Sequence, residues 1–272
     1  MDGGGRGFTA VPAGPGAVHP RTPYLRLREM TRMTSSEAPP PPTTPTALVV
    51  GASRGLGHAL AAEFLDRGWN VIGTVRDTTA RTPLHDLADR SSGRLSVEHL
   101  DINEPAQLPP LHERLAGRQL DVLFVNAGTT QHQDTPIGQV PAADFTEVMV
   151  TNALSPMRVV EALEDLVTPS GLIGAMSSGQ GSITNNTTGL RELYRGSKAA
   201  LNMFMRCFAA RQAGGRRALV LMAPGWIRTD LGGPQAPFTI EENVPRVVDV
   251  LLAKRARPGL EYLDFQGRTV PW

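Results

Sequence analysis

A single cysteine, Cys207, stands in the whole chain, which excludes an internal disulfide and any cysteine-rich zinc site. The six histidines (His19, His58, His85, His99, His112 and His132) lack the spacing of metal ligands, so no metal is expected. No run of about 18 apolar residues is present, so neither a spanning helix nor a membrane partner is expected. Neither sign of charge dominates: 27 Lys+Arg against 26 Asp+Glu leave a formal net of +1. Without a basic surplus, nucleic-acid binding by phosphate neutralisation is not expected. What the chain has is aliphatic bulk, with 40% hydrophobic residues and 28 glycines in 272 residues, enough for one large buried core. The expectation is a reduced, cytoplasmic, single-domain protein, and an enzyme before anything else.

The first 45 or so residues differ in composition from the rest. Gly, Pro and Ala crowd the stretch 1–20, and Pro39 to Pro42 form a run with Pro45 just beyond. Such a stretch has little to bury and lacks donors for strand pairing, so residues 1–45 read as a disordered extension with polyproline character. Arg6, Arg21, Arg26, Arg28 and Arg32 suggest a transit peptide, against which stand Asp2, Glu29 and the prolines. A start at Met30 or Met33 is a third reading.

From residue 46 to 272 apolar runs alternate with helical patterns. Strands are predicted at Ala47 to Val50, Val71 to Val75, Leu95 to Leu100, Val122 to Val125, Leu172 to Met176 and Ala218 to Met222. Helices are predicted from Leu56, Leu60 and Phe64 up to Gly68, over 104–117, twice between Asn126 and the strand at Leu172, over 191–212 and over 244–253. The last is entered through Thr239 with Glu242 as a capping box, or through Asn243 with Pro245 in the first turn. Near-continuous apolar strands alternating with helices mean a parallel sheet covered on both faces. The predicted fold is α/β, a single doubly wound sheet of Rossmann type.

Ligands of such sheets bind beyond the C-terminal strand ends, near the topological switch point. There the chain reads Gly51-Ala52-Ser53-Arg54-Gly55-Leu56-Gly57, a G-x-x-x-G-x-G turn between the first strand and the first helix. Glycines permit the tight turn and let backbone approach a pyrophosphate, while the helix N-terminus favours its charge. A nucleotide site is expected.

This spacing resembles the short-chain dehydrogenase/reductase family, and other motifs follow in the family's order. They are Asn126-Ala127-Gly128, Asn152 within Thr151-Asn152-Ala153-Leu154, Ser177-Ser178 at a strand end, Tyr194-Arg195-Gly196-Ser197-Lys198 as Y-x-x-x-K, and Pro224-Gly225-Trp226-Ile227-Arg228-Thr229 as P-G-x-x-x-T. Together they cover 47–230. The closing segments, Gly232-Gly233-Pro234 and Phe265-Gln266-Gly267 to Pro271-Trp272, resemble the C-factor and sniffer-type carbonyl reductase branch. Two positions depart: Val50 replaces the family's threonine, and Val125 the first asparagine of N-N-A-G, substitutions expected to soften loop hydrogen bonding. Ser178 is preferred to Ser177 because it precedes x-x-Gly181. The gap of 16 from Ser178 to Tyr194 is longer than the family's usual one but typical of the branch, with an insertion around Asn185-Asn186-Thr187. Ser177 stays as the alternative.

The resemblance implies a catalytic set of Asn152, Ser178, Tyr194 and Lys198. Four residues apart on a helix is about 40° of rotation and roughly 6 Å of rise, so Tyr194 and Lys198 share a face. An ammonium placed there favours the phenolate, and Tyr194 then exchanges a proton with the substrate oxygen. Ser178 would hold that oxygen, Lys198 would also bind the nicotinamide ribose, and Asn152 would anchor a water linking the lysine to solvent. The dinucleotide would be held by Gly51, Ser53, Arg54, Gly55, Leu56, Gly57, Arg76, Asp101, Ile102, Asn126, Ala127, Gly128, Tyr194, Lys198, Pro224, Gly225, Ile227 and Thr229. Asp101 would bond the adenine amino group or merely cap the next helix. Leu201, Phe204 and Phe208 read as core or oligomer interface, with Cys207 buried among them.

NADP(H) is expected over NAD(H). An acidic residue at the end of the second strand would repel a 2′-phosphate; that place falls to Val75, with Arg76 next and Arg54 in the glycine loop, while Asp77 would take over if the register slipped by two. The expected partner is a small carbonyl or alcohol. Self-association through two central helices into a homodimer or homotetramer is implied by the family, whereas members of this branch are also found as monomers. A non-catalytic dinucleotide sensor on the same fold is the rival reading, disfavoured because a pure binder has no use for an acid–base pair.

Overall fold

Along the first strand Ala47 and Val49 pack to one side and Leu48 and Val50 to the other, all buried. Continuous burial with a period of two is what a central parallel strand requires. The computed structural model of the chain describes residues 44–212 and 214–272, so the expected N-terminal extension lies outside the described residues except for its last two positions.

Among the described residues there are seven strands and seven helices, alternating except that two helices follow each other after the fourth strand. In chain order they are β1 (Thr46–Val50), α1 (Gly55–Asp66), β2 (Asn70–Val75), α2 (Pro83–Arg90), β3 (Leu95–His99), α3 (Leu108–Leu115), β4 (Leu120–Val125), α4 (Ala142–Met149), α5 (Ser155–Leu163), β5 (Val167–Met176), α6 (Glu192–Arg211), β6 (Ala218–Ala223), α7 (Ile240–Arg255) and β7 (Gly259–Asp264). The strands form one sheet in the order β3-β2-β1-β4-β5-β6-β7, every pair parallel. One face carries α3, α5 and α6 through Leu111, Val160, Leu201 and Phe208; the other carries α1, α2 and α7 through Phe64, Leu84, Val248 and Leu251. The fold is the doubly wound α/β sheet that the sequence pattern predicts.

Several boundaries differ from the sequence reading. The helix expected over 104–117 is a 3-10 turn at Pro105–Gln107 followed by α3, because Pro105, Pro109 and Pro110 remove donors from its first turns. The capping-box alternative holds for α7: Glu242 N–H donates to Thr239 Oγ1 at 3.2 Å, and Thr239 N–H to Glu242 Oε2 at 3.0 Å. Asn243 lies inside that helix, buried. Neither α2 nor β7 is in the sequence reading. Cys207, expected buried, is exposed. On α6 the buried stripe runs through Lys198, Leu201, Met205 and Phe208, which leaves Met203, Phe204 and Cys207 together on the outward face.

The strand order reverses between β1 and β4, which pair in register from Ala47↔Val122 to Val50↔Val125. The loops leaving these two strands therefore start side by side, and that crevice is where a ligand is expected.

Candidate active site

The turn after β1 is fixed by contacts that no side chain could share. Gly51 has a φ of +83°, and a Cβ there would meet Ala127 Cβ at 2.8 Å. A Cβ on Gly57 would lie 2.0 Å from Gly51 O and 2.6 Å from Asn126 Nδ2. Asn126 Nδ2 donates to Gly51 O at 3.0 Å, and the Asn126 and Ala127 N–H groups both donate to Val50 O, at 2.9 and 3.1 Å. Gly55, by contrast, has a φ of +56° with no atom within 4 Å of its Cβ position. α1 starts there with no side-chain cap and no acidic residue in its first turn. Its N-terminal donors and dipole face open space over a glycine floor, so the cradle fits a pyrophosphate.

The softening expected from Val50 is offset from another strand. Thr74 in β2, buried, accepts the Gly51 N–H on its hydroxyl at 2.9 Å, and its carbonyl accepts the Ala52 N–H at 2.9 Å. Nothing in local sequence marks this threonine, because the contact spans two strands.

On the β4 side Asn152, fully buried, sits in a π-helical turn, Val150–Leu154, between α4 and α5. Such a turn inserts one extra residue and re-aims its side chains, as is frequent at functional sites. The Thr129 N–H donates to Asn152 Oδ1 at 2.8 Å, while Asn152 Nδ2 donates to Thr129 O and to Ser197 Oγ, each at 2.9 Å. The amide thus clamps the loop after β4 to α6. A Cβ on Gly128 would lie 3.3 Å from both Asn152 Oδ1 and Lys198 Nζ, so these three residues converge.

Tyr194 and Lys198 share one face of α6, the ammonium 5.8 Å from the centre of the phenol ring. Lys198 is buried without a carboxylate and donates to Met176 O at 2.9 Å; desolvation lowers its pKa to about 8. Burial pushes the Tyr194 phenol above its usual 10.0, opposed by a hydrogen bond with the Ser178 side chain and by the charge of Arg191. The downward pull expected of Lys198 does not prevail, because desolvation of the phenolate is the larger effect. At neutral pH the phenol holds its proton.

The two serines part company. Ser177 Oγ donates to Asn202 Oδ1 at 2.6 Å and is buried, whereas Ser178 Oγ accepts the Gln180 N–H at 3.2 Å and faces Tyr194. Two residues absent from the sequence reading hold this turn. Asn202 Nδ2 donates to Gly181 O at 3.2 Å, and the Tyr262 hydroxyl, from β7, donates to Ser178 O.

The remaining predicted residues rim the crevice. Val75 ends β2 in register with His99, so Arg76 follows the strand as expected, and it is exposed. Asp77 turns back on Thr79, accepting from its N–H at 2.7 Å and its hydroxyl at 2.6 Å. Arg54 pairs with Asp230. Ser53 is half-buried and Leu56 packs against the core. Asp101 caps no helix: its carboxylate accepts the Asn103 N–H at 2.9 Å, beside buried Ile102. Asn103 in turn reaches the π turn, donating to Thr151 Oγ1 at 2.8 Å and accepting from Ser155 Oγ at 2.9 Å. After β6 and Pro224, Gly225 has a φ of +87°, Ile227 is buried, and Thr229 Oγ1 accepts the Gly232 N–H at 3.1 Å. Among the described residues no group of His, Cys, Asp and Glu is placed to hold a metal, and no helix is long and apolar enough to cross a membrane.

Comparison with known proteins agrees with this arrangement. The family model "short chain dehydrogenase" matches residues 45–238. The structure superposes on a short-chain dehydrogenase/reductase of Burkholderia multivorans with bound NADP at 64% identity, covering 84% of this chain and 100% of that one, with a TM-score of 0.83. It also superposes on a carbonyl reductase of Pseudomonas aeruginosa PAO1 in complex with NADP, at 32% identity over 85% of this chain and 100% of that one, TM-score 0.79. C-signal of Myxococcus xanthus is 34% identical over 155 residues, 56% of this chain and 93% of that protein. The chain belongs to the short-chain dehydrogenase/reductase family of oxidoreductases.

Proposed function

We propose that this oxidoreductase is an NADP(H)-preferring reductase of carbonyl compounds in which Tyr194 is the general acid. The observation that carries the reading is that the Tyr194 phenol shares a face of α6 with the Lys198 ammonium, which lies against Gly128 at the β1/β4 crevice, with the Ser178 hydroxyl facing the phenol. When bound, the dinucleotide would supply the hydride. Ser178 Oγ and Tyr194 Oη hold the substrate oxygen, and Tyr194 Oη passes its proton to it. Lys198, at a pKa of about 8 and anchored on Met176 O, replenishes charge beside the tyrosine and holds the ribose. Asn152 keeps Thr129 and Ser197 in place around them.

Gly51, Ser53, Gly55, Leu56 and Gly57 would cradle the pyrophosphate, with Asn126, Ala127 and Gly128 along one side and Pro224, Gly225, Ile227 and Thr229 along the other. Asp101 and Ile102 would border the adenine. For the 2′-phosphate, Arg76 and Arg54 supply guanidinium forks, no carboxylate ends β2, and Asp77 is engaged with Thr79. Binding of NADP by the Burkholderia and Pseudomonas proteins supports the preference. Phe145 on α4, Leu154 in the π turn, and Met203 and Phe204 on α6 are exposed, which supports self-association through these helices.

The test is a panel of aldehydes, ketones and quinones with NADPH and NADH, followed by loss of reduced-cofactor absorbance. Turnover with NADPH well above NADH is expected. Firm dinucleotide binding with no turnover across the panel would favour a sensor role instead.

A further inference from the structure

The stretch from Ser178 to Tyr194 must keep a hydroxyl and a phenol in register, yet it builds little structure of its own. Among the described residues it forms no helix or strand between the 3-10 turn Gly179–Gly181 and the start of α6 at Glu192. Residues 183–190 are exposed throughout, so burial does not hold them. The far end is pinned at Arg191, left-handed with a φ of +61°, whose N–H donates to Gln133 O at 2.9 Å. The near end is held by the last residues of the sequence.

After β7 the chain turns at Gly267 and comes back beside the strand. Leu263 and Thr269 form an antiparallel bridge, and the Val270 N–H donates to Tyr262 O at 2.8 Å. This return delivers Trp272 to the segment. Trp272 O accepts the Thr184 N–H at 3.0 Å, the Thr184 hydroxyl at 2.7 Å and the hydroxyl of buried Ser182 at 3.4 Å. Ser182 Oγ in turn accepts the Asn185 N–H at 3.1 Å. The indole packs on the ring of buried Tyr262, centres 5.4 Å apart, and the Arg206 guanidinium from α6 lies 4.5 Å from the indole centre. The Tyr262 hydroxyl donates to Ser178 O. One residue therefore holds the segment twice: at Ser182 and Thr184 through its carbonyl, and at Ser178 through Tyr262.

We propose that Trp272 is a positioning residue for the reaction: by holding Tyr262 and the stretch 182–184 it keeps Ser178 Oγ facing the Tyr194 phenol, acting through its neighbours and not on the reacting atoms. The proposal rests on the reductase reading above. Two hydroxyls that close on one carbonyl oxygen tolerate little drift, since a misplacement of about 1 Å can cost about 10²-fold in rate. Loss of the indole would leave space beside the Tyr262 ring, and a ring free to shift no longer fixes the Ser178 carbonyl.

The experiment compares variants of the full chain, with rates normalised to NADPH-binding sites so that any misfolded fraction drops out. In Trp272→Ala, kcat on the carbonyl that the unaltered protein reduces best should fall about tenfold or more, while NADPH affinity stays within about twofold. Trp272→Phe keeps a ring against Tyr262 and should recover most of the rate. Thr184→Val removes one Trp272 bond at an exposed place, leaves the core untouched, and should lower kcat about threefold. In a Ser178→Ala background, Trp272→Ala should add less than about a twofold loss, because the group it positions is gone. Hydrogen exchange reads the same link without turnover: in Trp272→Ala the amides of 179–184 should exchange about tenfold faster, and those of 51–57 should not change. A full loss that persists without Ser178 overturns the proposal. So does a parallel fall of rate and NADPH affinity, or unchanged exchange over 179–184. Each of those results leaves the reductase reading intact, whereas no reduction of any carbonyl by the unaltered protein would sink both.

Discussion

The Arg54 guanidinium is paired with the Asp230 carboxylate, which joins the glycine turn after β1 to the turn after β6. Both side chains are largely exposed, so the pair adds little to stability. Its effect falls on the arginine proposed for the 2′-phosphate, because Asp230 competes for the same fork. Asp230→Asn should therefore tighten NADPH a few-fold and leave NADH unchanged, as measured by cofactor fluorescence at low salt. A variant that weakens NADPH, or shifts both cofactors alike, would contradict this competition.

Tyr194→Phe removes one oxygen from a buried ring and nothing from the glycine cradle. Cofactor affinity should stay near normal while turnover falls by about 10²-fold or more, the usual contribution of a positioned general acid. Binding by fluorescence and rate by absorbance separate the two quantities. Near-normal turnover would remove Tyr194 from the mechanism.

Lys198 gives a stability signature with a definite sign. Its pKa falls from 10.5 to about 8 on folding, through desolvation. Below pH 8 it is charged in both states and the cost of burying that charge is felt in full. Between about 8 and 10.5 the folded chain sheds the proton while the unfolded chain keeps it, so stability rises with pH. Relative to Lys198→Met, urea unfolding should show the wild type gaining up to roughly 3 kcal/mol across that window. Parallel pH profiles for the two proteins would show that the lysine is not desolvated as described.

Thr74→Val leaves the half-buried Gly51 N–H without its hydroxyl acceptor. The expected cost is about 1–3 kcal/mol in unfolding free energy. Cofactor affinity should drop with it, since the turn that approaches the pyrophosphate loses its anchor. A serine at this position keeps the hydroxyl and should restore both.

Much of this architecture is legible in the sequence because central parallel strands are apolar on both faces. β1, β4 and β6 therefore stand out as runs bounded by Gly51, Asn126 and Pro224. The pairing of Tyr194 with Lys198 follows from helix periodicity alone. Less visible are features whose cause lies far along the chain. β7 carries Glu261, whose carboxylate meets buried Lys254, so its charge masks an otherwise strand-like run. The π turn at Asn152 has no compositional mark, and neither does the left-handed Arg191. Cys207 illustrates a different limit: periodicity groups residues on a face but does not say whether that face is covered.

The hydrogen bond from Tyr262 to the Ser178 carbonyl has a consequence for the order of assembly. Tyr262 belongs to β7, at the end of the sheet order beside β6. A chain emerging from the ribosome can complete β1 to β5 and still have its Ser178 turn unanchored. Asn202 reaches the turn once α6 forms, but the Ser178 carbonyl gains its bond only when the last strand docks, 84 residues later. Chains cut short before β7 would thus keep much of the nucleotide cradle and the Asn202 contact while losing the bond to the Ser178 carbonyl.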